Sequence, residues 1–165
     1  MLQLHLRKKE AKEIEEEYLK MITEMESSFE LLFGLANIYY QNRQYIQAEE
    51  LYIKLGEYFN HERLWECLAW NYLQLKRNKE SFRYSQKCLL KMSKNVNAEF
   101  LQIIVESDKT IMMENLNLLA DKIPTYYRVW VELGINESDI GKSMEYFDKA
   151  LEYERNSAEI HTLIG

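Results

Sequence analysis

An all-α fold built of helical hairpins is what this chain predicts, and three observations predict it. Among its 165 residues there are five Gly and a single Pro, too few for the many turns of a β-sandwich or barrel. Hydrophobic residues make up 47% and charged residues 29%, a globular composition with ample material for a core. Apolar residues at helical spacing also recur in blocks 33 residues apart, as Leu35 and Leu68 illustrate.

The elements follow in order. Residues 7–27 read as a charged helix with Ala11, Ile14, Tyr18, Met21, Ile22 and Met25 along one face, flanked by Glu13, Glu15, Glu16 and Glu17. Residues 1–28 are therefore expected to cap the first edge of a repeat array with a polar outer surface. A free coiled-coil arm is the other reading, but the stripe is too short for three heptads.

Residues 29–61 carry Leu32, Leu35, Ala36 and Tyr39 on one helical face. The polar break Gln41-Asn42-Arg43-Gln44 follows, then Ala48, Tyr52 and Leu55. Residues 62–95 repeat the pattern with Trp65, Leu68, Ala69 and Tyr72, then Ser81, Tyr84, Cys88 and Leu89. Residues 96–126 are assigned to a divergent repeat by spacing, with helices over 97–106 and 112–123 and a stop at Pro124. Residues 127–157 hold Trp130, Leu133 and Gly134, then Ser143, Phe147, Ala150 and Leu151. Residues 158–165 begin a further unit at His161, Ile164 and Gly165. About nine or ten helices are expected. The final unit stops at its small-residue position, which predicts a fragment of a longer repeat protein or a partner covering this end.

Large residue, Leu, small residue and Tyr, then Ala, aromatic and Ala: this order resembles the tetratricopeptide repeat family, and Trp130-Val131-Glu132-Leu133-Gly134 matches its W-x-x-L-G opening. The resemblance covers residues 29–165 and implies a right-handed solenoid of helical hairpins. From Trp130 to His161 is 31 residues, short of the family's period of about 34, so the first helix of that repeat is expected to be clipped. Small residues at Ala36, Ala69 and Gly134 fit places where paired helices cross closely, and Ala48 and Ala150 fit places where neighbouring repeats meet.

The same resemblance implies a concave groove lined by the first helices. Its positions fall on Glu30, Phe33, Asn37 and Tyr40, then Arg63, Glu66, Trp70 and Leu73, and finally Arg128, Val131 and Ile135, with Ser138 less firmly placed by the clip. Large apolar side chains rimmed by charge suit a peptide or partner helix. The function expected is that of a protein-interaction module or scaffold subunit. Self-association through the groove as a homodimer is a second possibility. Arg128-Val129-Trp130 with residues 146–151 also resembles half-a-TPR repeats of RNA-processing scaffolds. A clamp for acidic chaperone tails is disfavoured, because Phe33 and Glu66 stand where cations or Asn are wanted.

Chemistry is not expected. His5, His61 and His161 are isolated, Cys67 and Cys88 lie 21 residues apart, and neither a Gly-rich phosphate loop nor a metal-ligand motif occurs. No catalytic residue, cofactor or metal is therefore assigned, and the chain is read as no enzyme. A net charge of −6 disfavours direct nucleic-acid binding. The absence of an apolar run of membrane-spanning length predicts no membrane segment. Cysteine usage and the charged N-terminus point to a cytoplasmic or nuclear location.

Overall fold

The computed structural model describes residues 29–59, 61–155 and 157–164, together with Glu13 and Glu16. The described residues form α1 (Phe29–Gln41), α2 (Tyr45–Tyr58), α3 (Glu62–Gln74), α4 (Asn78–Lys91), α5 (Val96–Ile104), α6 (Lys109–Lys122), α7 (Tyr127–Asn136), α8 (Ile140–Tyr153) and α9 (Ala158–Ile164). Strands are absent among them. The expected capping helix over 7–27 lies outside the described residues, apart from Glu13 and Glu16, which are helical and exposed. The chain divides into two compact units, residues 1–98 and 99–165.

In the first unit, α1 packs on α2 and α3 on α4. Leu35, Ala36, Ala48, Tyr52 and Leu55 are buried in the first hairpin, and Leu64, Leu68, Ala69 and Tyr72 in the second. Both hairpins turn in the same way. Gln44 N–H donates to Tyr39 O (2.8 Å) and Arg77 N–H to Tyr72 O (2.9 Å). The residues before them, Arg43 and Lys76, both sit at φ 61°. This is a Schellman helix end whose left-handed position ordinarily takes Gly. A side chain there strains the backbone. Lys76→Gly should therefore stabilise the chain by about 0.5–1 kcal/mol, after allowing for the added freedom of the unfolded chain. Urea unfolding would show it, and a lower midpoint would contradict the strain argument.

Spacing nominated Tyr84 for the core of α4, but Ser85 occupies it, fully buried beside Ser81 and Cys88. Tyr84 lies half-buried and stacks on Tyr72 with centroids 5.5 Å apart. Serine serves at Ser81 because helix crossing leaves room for little else, and its hydroxyl donates to Ala69 O across the crossing (2.8 Å).

The second unit uses a different hairpin end. Glu106-Ser107-Asp108 and Glu137-Ser138-Asp139 are the same tripeptide, 31 residues apart. In each, the glutamate carboxylate accepts from the backbone N–H groups of the next two residues. These bonds hold both carboxyls below the usual range. Each aspartate then caps the following helix, Asp108 accepting from Thr110 and Ile111 and Asp139 from Lys142.

The first helices are correspondingly short: nine residues in α5 and ten in α7, against 13 in α1 and α3. The clip in α7 is as expected. In the divergent repeat the boundaries move. The first helix ends at Ile104 rather than at 106, and the second starts at Lys109 rather than at 112 because Asp108 caps it there. At the 31-residue offset, Ile103 and Met112 stand where the next hairpin has Gly134 and Ser143. Among the described residues, α5 and α6 approach one another less closely than the hairpin partners α1 and α2, α3 and α4, or α7 and α8 do.

Candidate functional site

In the first unit, the groove positions of α1 begin with Glu30, which is exposed, and Phe33, which is buried at 9% exposure. Phe33 stacks on Phe29 (centroids 5.3 Å apart), lies 6.0 Å from Tyr52, and is overlain by the Arg63 guanidinium at 5.7 Å. Its expected place on an open groove surface is corrected accordingly: aromatic packing within the chain covers it. Asn37 is half-buried and its Oδ1 accepts the Tyr52 hydroxyl (2.7 Å). Tyr40 is half-buried, edge-on to Tyr45 at 5.5 Å.

On α3, Arg63 is exposed, while Glu66, Trp70 and Leu73 are half-buried. Glu66 accepts from the side-chain amides of Asn95 and Asn97, each at 2.8 Å. Its carboxylate is thereby fixed in direction by two neutral donors. Cys67 follows Glu66; burial pushes its thiol up to about 11, and Cys88 up to about 12. Both are free thiols, protonated at neutral pH and poor nucleophiles.

In the second unit, Arg128 is exposed with its guanidinium 5.6 Å from the Tyr127 ring, and Ile135 is 50% exposed. Ser138, in the turn, is exposed. Val131 is buried, contrary to its expected groove role. It lies among buried Val129, Trp130, Leu133 and Gly134 on a ten-residue helix, and a helix apolar on so many sides is enclosed rather than presented.

The tryptophans sort differently from expectation. Trp130 is buried, and its indole N–H donates to Pro124 O (2.7 Å). Trp65, assigned the same structural position, is only half-buried, with Lys91 Nζ 5.9 Å from its ring. It belongs in the same exposure class as Trp70.

Asn71 adds a polar contact that helical spacing does not predict. It is fully buried and its amide donates to Tyr45 O (2.9 Å), pinning the start of α2 against α3. A lone Asn on an otherwise apolar face was the available signal. The repeated Glu-Ser-Asp tripeptide was equally readable. Among the described residues, no cluster of His, Cys, Asp and Glu could hold a metal ion, and no helix is long and apolar enough to cross a membrane.

These paired helices, with small residues at the crossings and aromatic first-helix faces, define a class of fold that solved structures share. No family model matches the chain, and no curated protein sequence matches it either. A tetratricopeptide repeat protein from Parabacteroides merdae is similar at TM-score 0.81 and 18% identity, over 98% of this chain and 66% of that one. MamA from Desulfovibrio magneticus RS-1 is similar at TM-score 0.68 and 17% identity, over 94% and 92%. YrrB, described as a TPR protein with an unusual peptide-binding site, is similar at TM-score 0.60 and 16% identity, over 98% and 87%. The fold is that of tetratricopeptide-type helical hairpins.

Proposed function

We propose that the chain is a non-enzymatic protein-interaction module whose first-helix faces bind a peptide or partner helix. The observation that carries this reading is the half-exposed set Tyr40, Trp70 and Leu73 on α1 and α3. None of them occupies a position the repeat core requires. Exposed Glu30 and Arg63 and the oriented carboxylate of Glu66 supply charge at the rim, and in the second unit Arg128 and Ile135 offer a similar pairing. YrrB, whose description names a peptide-binding site, supports the same use of the fold here.

The test is Trp70→Ala. Aromatic anchors at interfaces carry about 2 kcal/mol or more of binding, near a 30-fold loss in affinity. Partners captured from native extract by the wild-type chain would be mapped to a peptide, and its affinity measured for both forms. Sedimentation of both forms shows whether the occupant is a second copy of the chain. Equal affinity and equal sedimentation for wild type and variant would sink the reading. Retention on RNA falling steeply with salt would instead favour the RNA-scaffold alternative.

A further inference from the structure

In the first unit, α4 concentrates positive charge away from the first-helix faces. Between residues 76 and 94 the chain has seven bases, Lys76, Arg77, Lys79, Arg83, Lys87, Lys91 and Lys94, against one carboxylate, Glu80. That concentration stands in a chain of net charge −6. Arg77 is committed to Glu49 (2.7 Å) and Glu80 (2.9 Å). Lys79, Arg83, Lys87 and Lys91 form no ion pair among the described residues. They are spaced four apart, which puts a charge about every 6 Å along one slowly winding stripe of the helix. Ser81, Ser85 and Cys88 hold the opposite face in the core, so Lys79, Arg83 and Lys91 are exposed, while Lys87 is half-buried. Leu90 lies in angular register with Lys79 and Arg83 and is 83% exposed; Phe82 flanks the stripe at 42%.

We infer that the outer face of α4 is a second docking surface, and that its occupant is an acidic amphipathic segment of another protein. Carboxylates at i, i+4 spacing on a partner helix would meet the stripe charge for charge, and apolar side chains between them would cover Leu90 and Phe82. Charge complementarity selects this occupant over two others. Nucleic acid bound beside cations wants a run of free aromatic faces to stack on, and Phe82 offers a single one. Here Tyr84 is covered by Tyr72 on one side and approached by Lys87 at 4.8 Å, while Lys91 lies over Trp65. An anionic bilayer would meet a unit whose α2 also exposes carboxylates, Glu50 and Glu57. An acidic segment avoids both conflicts, and the surface is separate from the first-helix faces.

The experiment uses the full chain and a fluorescein-labelled 18-residue acidic peptide with Glu at i, i+4 and Leu between, followed by anisotropy. A Gln-for-Glu version, a uridine 20-mer and vesicles containing phosphatidylserine serve as competitors. The acidic peptide should bind, and the Gln version should not. Binding should weaken at least tenfold in Lys79→Glu/Arg83→Glu and several-fold in Leu90→Ser. Circular dichroism confirms the fold of each variant, all three positions being exposed. Binding that is unchanged in the charge-reversal variant, absent altogether, or shown only by the RNA or the vesicles would overturn the inference. Trp70→Ala should leave this binding intact, so failure here and failure of the groove reading are told apart.

Discussion

Trp130→Ala is expected to lower stability by about 3–5 kcal/mol, the range for truncating a buried aromatic. Three features set that magnitude. The ring is 9% exposed, it packs beside Tyr146 at 6.2 Å, and its N–H satisfies the carbonyl of Pro124 in the turn that leads into α7. Truncation opens a cavity and removes that bond, and because Pro124 is exposed its carbonyl can turn to water, so the cavity sets most of the cost. Trp65→Ala removes the same side chain from a half-exposed site and should cost roughly half as much, since transfer free energy scales with area removed from water. Denaturant unfolding followed by circular dichroism, read for each variant against wild type, makes the comparison. Equal losses at the two sites would show that Trp65 is as enclosed as Trp130.

Gly134→Ala should destabilise the chain by about 1–3 kcal/mol, the range for overpacking a filled core. Elsewhere in a helix the same change helps, because Ala has the higher helix propensity by about 1 kcal/mol, so the sign alone is diagnostic. A Cβ built on Gly134 falls 2.6 Å from the nearest atom of the Phe147 ring and 2.9 Å from two more. Withdrawal is opposed by the Ser143 hydroxyl, which donates to Gly134 O at 2.7 Å and ties α7 to α8. Phe147 is itself buried, so the ring has nowhere to swing. In a Phe147→Leu background the added methyl meets a smaller neighbour, and its cost should shrink. That non-additivity is the signature of direct contact. Thermal unfolding of the two single variants and the double variant tests it, and strict additivity would place the strain elsewhere.

Much of the fold was legible because the hairpin encodes itself locally. Ala36, Ala69 and Gly134 announce close helix crossings, since larger residues could not be accommodated there, and the period between them counts the repeats. The shortened α7 was visible in the 31-residue spacing alone. Where the small residues are missing, at Ile103 and Met112, the boundaries differ from the spacing by two or three residues, because Asp108 caps the second helix at Lys109.

The candidate surface was less legible. Helical phase says which side of α1 Phe33 occupies, but not that Phe29, Arg63 and Tyr52 converge to bury it. Nor does phase distinguish Trp65 from Trp130, which share a position in the pattern and differ in what surrounds them. The basic residues of α4 were plain in the chain, but their outward stripe became visible only once Ser81, Ser85 and Cys88 were seen to take the inner face. The sequence by itself determined the helices, their pairing and the residues at each crossing, because these depend on periodicity and side-chain size within some thirty residues. Tertiary structure alone decided how deeply each face is buried and which charges remain exposed, because both depend on neighbours brought close by folding rather than by position along the chain.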